Sequence, residues 1–401
     1  MIDTSYTAFL LLSAALVFIM VPGLAFFYGG LVRRHNILTI MMQNIIAMGL
    51  VTLIWFVLTF SLTFGADWNG LLGNLDYFLM SNVDLNAVLP GMAVPLWAFF
   101  LFQMMFAIIT PALITGAFVD RMKFSTFLLF LSFWSILVYA PVAHWIWGGG
   151  ILAKLGAIDF AGGTAVHINA GMAALAAILF LGKRKNGQEA RPHNVPYVVL
   201  GASLLWFGWF GFNGGSALAA GSLATIAFVN TDLAASAAMV VWLFLSWWHK
   251  GKPSLVGALT GAIAGLVAVT PAAGFVAPWA ALLIGIVAGA VCYWAIILKN
   301  KMKWDDALDV WAVHGVGGIT GSILTGFLAS PAINSSIGWF YGNFALFKAN
   351  LIATIIVALY SFIMTYLILK LMSFFGKVRV DEESEKNGLD KILHGEEAYD
   401  F

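Results

Sequence analysis

Two histidines, His167 in GTAVHINAG and His314 in DVWAVHGVGG, lie in segments that are otherwise largely apolar. An ionisable side chain inside such a run is costly to bury, so each is read first as a functional residue with a partner. A neutral imidazole offers one donor and one acceptor, and two facing rings can share a proton between nitrogens. Such a pair can bond a small neutral polar species, or relay a proton, without a fixed charge in hydrocarbon. A metal centre would want a third ligand, and neither histidine has a Cys or Glu at helical spacing, so no metal is expected. A bis-histidine haem is compatible with the small Gly and Ala neighbours, yet nothing else supports it. The alternative is two unrelated histidines, each bonded to a backbone carbonyl. The other five read as solvated or interfacial: His35, His193, His249 and His394 in loops or the tail, and His144 at the end of an apolar run.

The elements that must position the pair follow from composition. With 61% hydrophobic and 10% charged residues over 401 positions, and a mean hydropathy of +0.92, the chain has more apolar surface than one soluble core can hide. It reads as an all-α polytopic membrane protein. Apolar runs near the roughly 20 residues needed to cross hydrocarbon number eleven: 7–31, 38–64, 91–118, 124–147, 160–181, 195–214, 223–248, 254–271, 279–298, 310–329 and 349–375. The first carries Asp3 where a signal peptide has basic residues and is too long for a signal core, so it is expected to remain as the first span.

Lys and Arg are retained on the cytoplasmic side of a membrane. Arg33 and Arg34, Arg121 and Lys123, Lys183 to Lys185 with Arg191, Lys250 and Lys252, Lys299 to Lys303, and five from Lys370 onward place 18 on alternate loops, against Lys154 and Lys348 on the others. This predicts an outside N-terminus and an inside C-terminus. Asp67, Asp76, Asp84 and Asp159 give the outer loops a modest negative field. The net charge of +1 gives no reason to expect a nucleic-acid partner, and the lone Cys292 cannot form an intramolecular disulfide.

An internal repeat joins the two histidines. AVHINAG at 165–171 matches AVHGVGG at 312–318, each with an Asp eight residues before the histidine, Asp159 and Asp306. FFYGG at 26–30 matches GFNGG at 211–215, and ITPALITG at 109–116 matches VTPAAG at 269–274. Spans 1–5 and 6–10 are thereby paired, and because five is odd the second set runs through the membrane in the opposite sense, an inverted repeat. A path on that axis is approached from both faces, which suits a conduit. Eight helical residues cover about 12 Å and some 80° of turn, so neither Asp reaches its own histidine along a continuous helix. A helix cap is the expected role, with an influence of Asp159 on an outer cation left open. Three aromatic clusters, FFLFQMMF at 99–106, HWIWGGG at 144–150 and WFGWFGFNGG at 206–215, fit either an interfacial belt or a vestibule that holds a cation.

Taken together, DFAGGTAVHINAG, WGGG, GWFGFNGGS, ITPALITGAF, GKPSLVGALTGAIAGLVAVTPAAGF and DVWAVHGVGGITG resemble the ammonium transporters of the Amt/Mep/Rh family, and GLDKILHGEEAY resembles its C-terminal signature. Retention of both histidines favours the Amt branch. The resemblance implies a homotrimeric transporter of the cell membrane, not an enzyme, with no cofactor. Phe102, Phe106, Trp147 and Ser216 match the family's outer ammonium-recruitment site, and Asp159 its nearby buried acid. Phe106 and Phe212 match the rings closing the pore mouth; His167 and His314 the twin pore histidines; Trp209 and Thr270 pore-lining positions. Ammonium, or methylammonium as its analogue, would be deprotonated there, ammonia crossing by the histidines and the proton separately. A membrane domain of 1–376 is expected, with repeats at about 7–182 and 195–329 and span 11 at about 349–375. Residues 377–401 would form a regulatory tail that receives a PII-type signalling protein. Competing readings are an ammonium sensor with a cytoplasmic partner, and a channel for another small neutral molecule such as carbon dioxide.

Overall fold

The computed structural model describes residues 1–185 and 192–399; Arg191, counted among the basic loop residues, lies outside them. Helices dominate: α1 Thr4–Leu31, α2 Ile37–Phe64, α3 Leu96–Phe118, α4 Phe124–Lys154, α5 Gly163–Leu181, α6 Val195–Gly215, α7 Ser222–Lys250, α8 Leu255–Val269, α9 Pro278–Lys301, α10 Trp311–Val316 continuing as Gly317–Leu328, and α11 Phe344–Phe375. Among the described residues nine of these are long and apolar enough to cross a membrane, and α8 is a shorter apolar helix. The chain is a multi-pass membrane protein.

The helix starts carry local signals. Asp3 caps α1 through the N–H groups of Ser5 and Tyr6, Asn194 caps α6, Ser254 caps α8 and Asn343 caps α11. Some expected boundaries move. The third run begins at Leu96 rather than 91, because residues before Pro95 are held in a non-helical link whose Ala87 carbonyl accepts from Leu96 N–H. After Trp147 the chain of α4 turns through Gly148–Gly150 and resumes for one turn to Lys154. The last helix starts at Phe344, after its Asn343 cap, five residues earlier than the apolar run suggests.

Burial shows which helix is central. In α3, 94% of the most apolar window is buried, against 33% in α2, α7 and α11. Along α11 the exposed residues Ile355, Leu359, Ile363, Leu367 and Leu371 form a stripe at four-residue spacing, which is surface for lipid rather than water. Against the core, α1 packs on α6 and α5 on α10. Both contacts need bare backbone. A Cβ on Gly201 would sit 2.2 Å from Phe27 N, and one on Gly171 would sit 2.1 Å from Gly315 N.

Because that neighbour is backbone, Gly171→Ala must push α5 and α10 apart. The expected cost is about 3 kcal/mol, the upper end of the overpacking range. A lowered thermal midpoint of the detergent-solubilised protein checks it, and an unchanged midpoint contradicts the close approach.

On the side where α11 ends, the tail folds back on the helices. Arg121 O accepts from Val380 N–H at 2.8 Å, and the Asp390 carboxylate caps α2 by accepting from Leu38 and Thr39 N–H at 3.0 and 2.7 Å. Arg33, Arg184, Asp120, Arg121 and Asp305 form the ion network beneath it. Burial pushes the Asp120 carboxyl up and holds the Arg121 guanidinium down at about 10, while Arg33 and Arg184 pull Asp120 back towards its charged form.

A conduit-like site between two cavities

The two histidines occupy equivalent local structures. Each lies on a π-helical opening of its helix, Gly163–Ile168 in α5 and Trp311–Val316 in α10, and π segments mark functional positions in many helices. Asp159 sets the first of these. Its Oδ1 accepts from Gly162 and Gly163 N–H at 2.8 Å each, and its Oδ2 from Thr164 and Ala165 N–H at 2.7 and 3.0 Å. Asp306 Oδ2 accepts from Trp311 N–H at 2.8 Å in the second, and its backbone carbonyl takes a bond from Lys299 Nζ at 2.8 Å.

The rings meet at the centre. His314 Nδ1 and His167 Nδ1 are 3.3 Å apart, so one nitrogen carries the shared proton and the other accepts it. Among the described residues neither ring bonds a backbone carbonyl, and the two histidines face each other instead. His167 Nε2 is buried with no partner among the described residues. His167 also stacks on Trp209 and Phe212, at 5.4 and 6.0 Å between centroids. Trp209 is itself pinned, its indole N–H donating to Thr270 Oγ1 at 2.8 Å.

Above the pair, Phe106 and Phe212 close together with centroids 4.4 Å apart, and Trp147 stands edge-on to Phe106 at 5.7 Å. Phe106 and Trp147 line a cavity of about 140 Å³ together with Gln103, Asp159, Phe160 and Ser216, and Phe212 lies behind Phe106, off the cavity wall. Its polar groups are unevenly committed. Trp147 N–H is spent on Asp159 O at 2.9 Å, which leaves the indole face free. Ser216 Oγ donates to Phe212 O at 2.9 Å, so its lone pairs remain to accept. Below the pair, a cavity of about 230 Å³ touches His314, Trp209, Tyr28 and Asp309. Phe106, Phe212, His167 and His314, each packed against the next, therefore stand between two small chambers, and a cation in the upper one meets π faces and acceptors.

Not all expected residues share the same surface. Phe102 is fully buried, packed edge-on beneath Phe106 at 5.0 Å and under Gly215, rather than on the cavity wall. Gln103 is there instead, its Oε1 buried and without a partner among the described residues, an acceptor that the sequence reading passes over. Its signal was a single polar residue inside FFLFQMMF. Asp159 is not a surface charge of the outer loops: it is buried and its oxygens are taken up by four amides. His144 is likewise neither solvated nor interfacial, because Thr63 O and Asp67 Oδ1 approach its two ring nitrogens at 2.8 Å each in a fully buried pocket. Lys154 and His144 together hold Asp67 down at about 2, so that loop charge is also tied.

Membrane-length helices around a buried line of aromatic rings and paired imidazoles, open to a chamber at each end, define a multi-pass membrane transport protein. The chain belongs to the Ammonium Transporter Family, whose model matches residues 8–399. It is 46% identical over 396 residues to the ammonium transporter of Bacillus subtilis (strain 168), covering 98% of both chains. Its fold is similar to the crystal structure of Candida albicans Mep2, with a TM-score of 0.90 and 38% identity over 96% of this chain and 88% of that one. A solved structure described as a Sensor Amt Protein also aligns, at TM-score 0.91 and 30% identity, over 97% and 98% of the two chains. The chain is thus an ammonium transporter by family and a transporter rather than an enzyme.

Proposed function

We propose that ammonium is gathered in the chamber above Phe106 and Phe212, loses a proton there, and crosses as ammonia along His167 and His314, with the proton passing separately through the ring pair. The observation that carries this reading is the contact of the two imidazoles between the chambers. Size and charge separate ammonium from potassium poorly, whereas an apolar constriction admits only the ion that can shed its charge. Trp147 and Phe106 offer π faces to the cation, and Ser216 Oγ and Gln103 Oε1 offer lone pairs to its N–H groups. Phe212 shuts the way to hydrated ions, and Trp209, fixed by Thr270, keeps His167 flat against the path. Asp159 acts on the site through the backbone it caps.

The same reading takes the chain as eleven spans with the N-terminus outside, in inverted halves of five; the packing of α1 on α6 and α5 on α10, and the matched π openings, support it. A membrane domain to residue 376 followed by a regulatory tail, a homotrimer in the cell membrane, and control by a PII-type protein at the tail face complete the proposal. Sensing is the second reading, favoured by the likeness to the Sensor Amt Protein.

Uptake of radiolabelled methylammonium by liposomes holding the purified chain tests transport. Saturable uptake is expected, reduced about tenfold by Trp147→Leu through loss of a desolvated cation–π contact of about 2 kcal/mol at most. No uptake by the wild-type chain alongside a partner-dependent ammonium response would favour sensing instead.

A further inference from the structure

We infer that His144 is held as an imidazolium and is the positioning residue of the upper chamber. It fixes Trp147 against Phe64, and so sets how tightly the ion is gathered rather than how fast it crosses. The inference rests on the reading of that chamber as the place where ammonium collects. Phe64 and Trp147 both line the chamber, whereas the His144 ring is fully buried behind its wall.

Hydrogen bonding assigns the charge. Nδ1 lies 2.8 Å from Thr63 O and Nε2 lies 2.8 Å from Asp67 Oδ1. A carbonyl only accepts, so Nδ1 carries a hydrogen, and a neutral ring would then turn the Nε2 lone pair on the carboxylate. Asp67 is itself an acceptor on both oxygens, taking Gly70 N–H on Oδ1 at 2.8 Å and Lys154 Nζ on Oδ2. Both ring nitrogens of His144 therefore donate. Thr63 adds to this, because it lies in the last turn of α2, where free carbonyls favour a cation. Asp67 and Lys154 are the charged partners in this cluster among the described residues.

The fold wraps the ring in the turn that carries Trp147. His144 O accepts from Gly148 N–H at 2.9 Å and from Gly150 N–H at 3.1 Å. A Cβ on Gly148 would sit 2.1 Å from Thr63 O and 2.5 Å from His144 Nδ1, so the turn closes only on bare backbone. Trp147 directly precedes this turn and Phe64 directly follows Thr63. One ring thus ties the two walls together, through charge-assisted bonds that are stronger than neutral ones. The indole is pinned separately at its N–H by Asp159 O. Without the bridge the indole face would drift from the cation it holds, while the His167–His314 contact would stay as it is.

Two measurements on the full-length chain in liposomes test this. Solid-state NMR with nitrogen-labelled histidine should show both His144 nitrogens protonated at neutral pH, the signal being assigned by its absence from His144→Phe. Asp67→Asn should leave one protonated and one bare nitrogen, since its amide can donate to Nε2. In methylammonium uptake, His144→Phe should raise the Michaelis constant about tenfold, and Asp67→Ala about threefold, with saturating rates within about twofold of wild type. Lys154→Gln, which leaves both ring bonds in place, should not shift it. Thermal midpoints check folding, and Asp67→Ala, at a partly exposed position, serves if His144→Phe does not fold. A bare nitrogen on His144 in the wild type overturns the proposal, as does a wild-type Michaelis constant in the folded variants or a lowered saturating rate at an unchanged constant. Absence of saturable uptake by the wild type would overturn the transport reading and this inference with it, whereas normal wild-type uptake with unshifted variants overturns this inference alone.

Discussion

Replacing His167 or His314 by leucine is expected to cut the current that follows an ammonium jump across chain-bearing liposomes by about 10²-fold, the lower end of what a positioned proton-transfer group contributes. Leucine is apolar and close enough in bulk to keep the passage filled, so the change removes donor and acceptor nitrogens without opening a water path. The rings face each other at 3.3 Å and share one proton, which means that neither can relay alone. The double variant should therefore be no worse than either single one, as for groups that act as a unit. Both variants should keep a near-normal thermal midpoint, because among the described residues the hydrogen bond between the two rings is the only one lost. A wild-type current in either leucine variant would remove the histidines from the proton path. Loss of current with intact methylammonium uptake would instead separate the proton route from the ammonia route.

The second large effect is expected at Asp159 and concerns stability before transport. Four amides converge on its two oxygens, two to each, in a buried position. Asp159→Ala leaves all four without a partner. At about 1–3 kcal/mol for each unsatisfied buried donor, with incomplete additivity, the loss should exceed about 3 kcal/mol. Asp159→Asn keeps one acceptor oxygen but turns an NH₂ group towards two N–H groups, so it should also lower the midpoint, though less. Asp159→Glu should not restore it, since the longer stem displaces the carboxylate from the amides it serves. The π opening that carries His167 would unwind in all three, and transport would fall as a consequence. An asparagine variant with the wild-type midpoint and no uptake would show that the carboxylate serves the ion directly rather than the backbone.

Much of this molecule is readable without coordinates. Runs of apolar residues punctuated by basic loops locate the helices to within a few residues, because hydrophobic length is a local property of the chain. The matched AVHINAG and AVHGVGG segments single out the two histidines as a pair, and the family motifs pick out Trp147, Phe106, Phe212 and Ser216, which the structure places in contact with one another. Phe102 and Gln103 show where such reading stops. They are adjacent in a helix buried on nearly every side, and which of the two reaches a cavity wall depends on the helix's rotation against α6.

His144 is hidden from sequence reading for the same reason. Its partners, Thr63 in the last turn of α2 and Asp67 just beyond that helix, are far away in the sequence, and no spacing rule connects them.

Sequence by itself determined the solvent, the helices, the paired histidines and the family, since each depends on composition, periodicity or motif along one strand of chain. Tertiary structure alone decided that the two imidazoles touch, that Asp159 serves the backbone with both oxygens, that Asp390 caps α2 from the far end of the chain, and that His144 bridges Thr63 and Asp67. Those facts depend on ångström-scale distances between helices, and such distances are set by where glycines such as Gly171 let backbones meet rather than by any local pattern.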